Sequence, residues 1–273
     1  MRSSNPVLNS LTGTRQNYAQ AGYQQQAFNP MSQYGQPVTS AGAAERPMTV
    51  DDVVAKTGIT VGVIIAFAVI NFALYKVSPG LALILTGVGA IGGLITVLIS
   101  TFGRKYGSAP VTLTYAAFEG LFVGGISWVL SGAMVGGQDA GTLIGQAVLG
   151  TIGVFLGMLY VYKTGAVKVT PKFNRILTGS LIGVLVLALG NMVLGFFDKD
   201  LGLYSGGPIA IIFSLFCIGL AAMSFLQDFD IADRLIRQGA PAKNAWGVAL
   251  GLAVTLVWLY TEILRLLSYF NQR

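Results

Sequence analysis

From about residue 58 onward the chain alternates between long apolar runs and short polar breaks. Seven runs stand out, near 58–75, 80–102, 110–131, 142–162, 176–197, 207–227 and 245–270. Each is long enough to cross a hydrocarbon core of about 30 Å at about 1.5 Å per residue. The pattern predicts seven transmembrane helices and an all-α polytopic bundle. All nine prolines fall before the first run, in the breaks or at the start of a run. Pro110 and Pro208 occupy first-turn positions, where a missing N–H costs nothing. Residues 1–47 follow another regime, with seven Gln and three Tyr among Ser, Asn, Gly and Ala, as in QNYAQAGYQQQAFNP. That composition has no apolar periodicity and cannot offset the entropy of ordering, so it reads as a disordered tail. No apolar run follows Arg2, so no signal-peptide pattern is expected.

Composition sharpens the membrane reading. Of 273 residues, 53% are hydrophobic and 10% charged, against roughly 25% charged in soluble domains; the mean hydropathy is +0.68. The net charge of +6 has no soluble basic domain behind it, so nucleic acid is not an expected partner. It is better read as a topology signal. With the N-terminus inside, thirteen basic residues fall on the inner side against three outside, Lys76, Lys199 and Arg273. That asymmetry predicts a cytoplasmic N-terminus and an external C-terminus. The single cysteine, Cys217, rules out an intrachain disulfide. The absence of histidine excludes Ser–His dyads and histidine-ligated zinc hydrolases. No GxGD motif is present for an aspartyl protease, and the last run has no lysine to hold retinal, so no enzymatic activity and no resident cofactor are expected.

Glycine is abundant, and four pairs are spaced four apart: Gly89/Gly93, Gly120/Gly124, Gly153/Gly157 and Gly247/Gly251. Such faces let transmembrane backbones approach closely, which predicts a tightly packed bundle.

Charged residues inside a bilayer are costly, and each is a functional-site candidate. Glu119, Glu262 and Arg265 lie well inside the predicted helices. Counting depth at about 1.5 Å per residue puts Glu119 near the midplane, with Asn191 and Glu262 slightly further out. Thr255 lies seven residues before Glu262, on the same helical face. These four residues are expected to line one polar cavity, with Arg265 compensating Glu262. Asp228, Asp230 and Asp233 stand where the sixth run ends. Carboxylates there oppose the helix macrodipole, which suggests a role for at least one; the plainer reading balances them with Arg234 and Arg237.

The GRKYGSAPVTLTYAAFEGLFVGGIS stretch, the acid-terminated sixth helix and VALGLAVTLVWLYTEILRLL together resemble the transmembrane Bax inhibitor motif family, the Bax inhibitor-1-like proteins, in a bacterial form. The resemblance spans about residues 50–270 and leaves out the Gln-rich tail. It implies a seven-helix bundle with the last helix central, in the plasma membrane. It also implies a pH-sensitive calcium leak, in which two aspartates on the sixth and seventh helices form a proton-sensitive latch. Asp228 matches the first of these. A gap-free match puts Thr255 at the second, so two carboxylates cannot share a proton there. Glu262 is the candidate substitute, two turns outward. Arg104 resembles the family's basic partner of the sixth-helix acid, and Arg104 or Lys105 is expected to contact Asp228.

Two functions compete. One is a passive, pH-modulated cation pathway whose carboxylates suit calcium as a transient ligand. The other is a non-conducting regulator that binds another membrane protein, such as a quality-control protease. The expected partners are thus the lipid bilayer, calcium or protons, or a membrane protein; no metal site is assigned. Removing residues 1–45 is expected to leave the thermal unfolding midpoint in detergent unchanged. A clear drop would show that the tail packs on the bundle.

Overall fold

The computed structural model describes residues 46–103, 106–133, 140–195, 197, 199 and 201–271, all within one compact unit, Glu45–Arg273. Seven helices are long and apolar enough to span a membrane: α1 (Val50–Val77), α2 (Pro79–Phe102), α3 (Ala109–Trp128), α4 (Ala140–Thr164), α5 (Pro171–Gly195), α6 (Pro208–Arg237) and α7 (Ala245–Asn271). A π-helical turn, Val129–Ala133, prolongs α3, and a short 3-10 turn, Ala242–Asn244, leads into α7. The central position of the last helix is observed. About 72% of the spanning window that contains α7 is buried, against 6% for α5. α7 packs against α1, α3, α4 and α6, whereas α5 rests on α6 at the periphery.

Three helix limits differ from the hydropathy reading, each for a local reason. α1 begins eight residues early, at Val50, because Thr49 and Asp52 form a capping box. The Thr49 hydroxyl accepts the Asp52 N–H at 3.3 Å, and the Thr49 N–H donates back to the carboxylate at 3.0 Å. Arg46 grips the same carboxylate through both guanidinium nitrogens, at 2.6 and 2.7 Å. α5 likewise begins at Pro171, five residues before the apolar run, where the Thr170 hydroxyl accepts the Phe173 N–H at 3.1 Å and caps its first turn. α6 runs ten residues past its apolar stretch, as an amphipathic extension that buries Phe229 and Ala232. Two i,i+4 ion pairs brace it, Asp230–Arg234 and Asp233–Arg237. It stops at Gly239, whose φ of +65° permits the Schellman bonds Gly239 N–H to Ile236 O and Ala240 N–H to Leu235 O, both 3.0 Å. The three aspartates are therefore inside a helix, not at its end, and Asp228 is more than two turns from the C-terminus. The helix macrodipole, which acts within the last turn, thus does not oppose Asp228.

The tail read as residues 1–47 lies outside the described residues up to 45, but Arg46–Met48 belong to the bundle. Met48 N–H donates to Ala240 O at 2.7 Å, and Ala242 N–H to Arg46 O at 2.9 Å. Pro47 and Pro241 form a β-bridge, and Met48 is buried. Lys56 reaches Ala242 O at 2.5 Å and lies over the Trp246 ring. This short strap ties the start of α1 to the α6–α7 loop.

Glycine divides by function. A Cβ at Gly120 would sit 2.5 Å from Ile64 O, and one at Gly124 would sit 2.3 Å from Ala68 O, so α3 lies directly on α1. At Gly89 a Cβ would meet Phe118 O at 2.5 Å, which seats α2 on α3. Asn71 crosses this three-helix contact, donating to Thr86 Oγ1 at 3.0 Å and Leu121 O at 2.6 Å. Gly153 and Gly157, however, have open space where a Cβ would stand. The tight approach predicted for them is not made. Gly124→Ala is accordingly expected to lower stability by about 1–3 kcal/mol, the usual cost of overpacking. Gly153→Ala should be neutral or stabilising by up to about 1 kcal/mol from helix propensity. Unfolding of the two variants side by side in detergent checks the contrast.

Candidate functional site

The acids expected to share one cavity are distributed over separate places. Asp228 meets Thr255: the threonine Oγ1 donates to Asp228 Oδ2 at 2.7 Å, joining α6 to α7. Thr255 also bonds back to Gly251 O at 3.3 Å. Gly251 lies beside the carboxylate, a Cβ there standing in ordinary contact at 3.9 Å from Asp228 Oδ1. Among the described residues Asp228 has no ion-pair partner. Arg104 and Lys105, the partners expected for it, lie outside the described residues.

Glu262 points inward, with only 5% of its surface exposed, and Arg265 Nη1 donates to its Oε1 at 2.8 Å. That much follows the expectation. The helices it addresses do not. The other polar groups beside it are Ser214 on α6 and Trp258 on α7, and neither Glu262 Oε2 nor Ser214 Oγ has a hydrogen-bond partner in good geometry. Glu119 faces the opposite way. Its Oε2 lies 2.8 Å from where a Cβ of Gly93 on α2 would be, a place that the Tyr115 ring, one turn back, also borders. Asn191 accepts the Leu201 N–H at 2.9 Å and fixes the loop after α5. The four-residue cavity of Glu119, Asn191, Thr255 and Glu262 is thus not formed. Matching membrane depth does not place side chains on facing surfaces, and α5, which carries Asn191, is peripheral.

Two sites remain on α7, seven residues and about 10 Å apart along its axis. The Glu262–Arg265 pair is the one nearer the C-terminal end of α7. Arg265 lies 4.8 Å from the Tyr204 ring centroid and lines a cavity of about 250 Å3 with Leu130, Tyr204 and Tyr269. The other one, Asp228–Thr255, has an aromatic neighbour that the sequence reading missed. The Tyr106 ring, in the turn between α2 and α3, lies against Gly247, where an added Cβ would meet ring carbons at 2.5–2.7 Å. Burial raises the Tyr106 phenol above its usual pKa, and the nearby Asp228 charge raises it further, so the ring is neutral at physiological pH. Asp230 and Asp233 belong to neither site. They pair with Arg234 and Arg237, and Tyr162 donates to Asp233 Oδ2 at 3.3 Å.

A crevice of about 510 Å3 opens between α1 and α4, floored by α3 and α7. Its wall is apolar because its hydroxyls are spent: Ser127 bonds Val123 O at 2.6 Å and the Tyr260 hydroxyl at 2.8 Å. Neither cavity is lined by Asp228.

A seven-helix bundle that sets a half-buried Asp228 and a buried Glu262 against its central helix, with no metal-ligating cluster of three or more among the described residues, is a polytopic membrane protein with acids held inside its spans. Residues 5–272 match the family described as Bax inhibitor 1 like, and the chain belongs to that family. The match extends through most of the Gln-rich tail, beyond the 50–270 carried by the resemblance. Comparison with curated proteins returns no similar sequence.

Arg265→Met is expected to cost about 3–5 kcal/mol, because it strands a buried carboxylate. Glu262→Gln with Arg265→Met should cost clearly less. Equal unfolding midpoints for the single and double variants would show that the ion pair is not what holds this end.

Proposed function

We propose that this protein is a passive, pH-sensitive cation pathway, with calcium as the permeant ion, in which Asp228 is the titrating residue. The observation that carries the reading is the hydrogen bond from Thr255 to a half-buried carboxylate between α6 and the central helix. A carboxylate supplies hard oxygen ligands of the kind calcium takes. Only one acid stands there, so calcium is a passing ligand and the site carries a single protonation step. Protonating Asp228 removes the charge that Thr255 solvates and loosens the α6–α7 contact. Glu262, paired with Arg265 two turns outward, marks the far end of the path. Arg104 and Lys105 stay in the proposal as cationic partners of Asp228. We place the N-terminus in the cytoplasm and the protein in the plasma membrane on the positive-inside balance and the family resemblance. The proposal assigns no catalytic chemistry.

A second reading has its own support. Gly153 and Gly157 on α4 and Gly179 and Gly183 on α5 are open, and α5 is the least buried of the spans. Glycine faces left unused within a bundle suit a partner helix in the bilayer. On this reading the protein is a non-conducting regulator of another membrane protein.

Calcium flux into proteoliposomes that contain this chain alone separates the two. The pathway reading expects flux with a one-step pH profile, which Asp228→Asn flattens. Thr255→Asp restores a second acid and should turn the profile into two coupled steps. Flux at the level of empty liposomes across the pH range would leave the regulator reading.

A further inference from the structure

Along one face of α7, Gly247, Gly251 and Thr255 follow at i, i+4 and i+8. The first carries the Tyr106 ring, the second lies beside the Asp228 carboxylate, and the third donates to it. The face read as a small-residue helix contact thus holds a column of side chains. Tyr106 is one turn, about 6 Å, nearer than Asp228 to the exposed α6–α7 loop. The turn that delivers the ring is seated firmly. Gly107 has φ +82°, and a Cβ on it would lie 3.0 Å from both Asn244 Oδ1 and Lys243 O. Thr112, at the start of α3, donates to Trp246 O at 3.1 Å. The start of α7 is held in turn by the Arg46–Met48 strap. Tyr106 as a residue is 46% exposed, while its ring covers Gly247.

We propose that Tyr106 is a lid that closes the aqueous approach to the Asp228–Thr255 pair, with Gly247 as the seat that its ring requires. This rests on the reading of Asp228 as the working acid, and it adds how water and ions are kept from it. The lid acts by ring area, so the hydroxyl is dispensable and Tyr106→Phe should behave as wild type. Gly247→Ala lifts the ring, because the new methyl claims the space that the ring carbons occupy.

The test reads access to the carboxylate without reading flux. Full-length protein in nanodiscs is treated with a water-soluble carbodiimide and glycine methyl ester, and amide formation at Asp228 is followed by peptide mass spectrometry. Tyr106→Ala is expected to raise the Asp228 modification rate about tenfold, as for a closed state favoured by about 1.4 kcal/mol. Gly247→Ala should raise it as well, and Tyr106→Ala/Gly247→Ala no further than Tyr106→Ala alone. Asp233, outside the column, should react at one rate throughout. An unchanged Asp228 rate in Tyr106→Ala overturns the lid. So does a wild-type Asp228 that reacts as fast as Asp233, or a Tyr106→Phe variant as open as the alanine one. Faster labelling without calcium flux would keep the lid and remove the pathway. Flux that responds to Asp228→Asn, with labelling indifferent to Tyr106, would do the reverse.

Discussion

The fold depends on burying α7, a helix that carries Thr255, Glu262 and Arg265 through a bilayer. Lipid offers no partner to these groups, so each must be met from within the chain. Asp228 is met by Thr255 and Glu262 by Arg265, and the guanidinium of Arg265 rests on Tyr204. These demands bring α6 and the loop after α5 to α7. The remaining neighbours meet its apolar faces, as where Leu250, Ala253, Val257 and Leu264 join one core cluster with Tyr115, Val123 and Leu143. Phe155 of α4 meets Phe225 and Phe229 of α6 with ring centroids 5.3 and 5.5 Å apart.

The α1–α2–α3 group works by another means. Its helices touch backbone to backbone at Gly89, Gly120 and Gly124, and Asn71 links the three with side-chain hydrogen bonds. Packing in lipid rewards close approach because it has no hydrophobic gradient to use. Tyr75 stacks on Trp128 at 4.4 Å and adds to the same contact. The group reaches the acid site through its α2–α3 turn, where Tyr106 and Gly107 meet the start of α7. A well-packed set of helices is thereby coupled to the Asp228 carboxylate between α6 and α7.

Much of this was legible in the chain. Segment number and class follow from hydropathy, because a bilayer imposes a minimum apolar length on any helix that crosses it. The family resemblance put Thr255 at the position of the latch's second aspartate, and the structure joins that position to Asp228 by a hydrogen bond that the expected cavity with Glu119, Asn191 and Glu262 did not include. Helix ends were less legible. Hydropathy marks where a helix leaves the hydrocarbon, whereas capping and ion pairs decide where it stops, as the Thr49 box and the Asp230–Arg234 pair show. The cavity joining Glu119, Asn191 and Glu262 failed because depth along a helix says nothing about rotation around it.

The sequence by itself determined the seven spans, the inward burial of Glu262 and the i,i+3 partner that neutralises it. All of these rest on interactions within one helix or between a helix and its solvent. Tertiary structure alone decided which glycines face a backbone, which face an aromatic ring and which face nothing. It also decided that Glu119 turns to α2 while Asp228 turns to α7, and that Tyr106 comes to lie on Gly247. Those outcomes depend on how each helix is rotated against its neighbours. That rotation is set by the sum of many small packing contacts, which no single stretch of sequence contains.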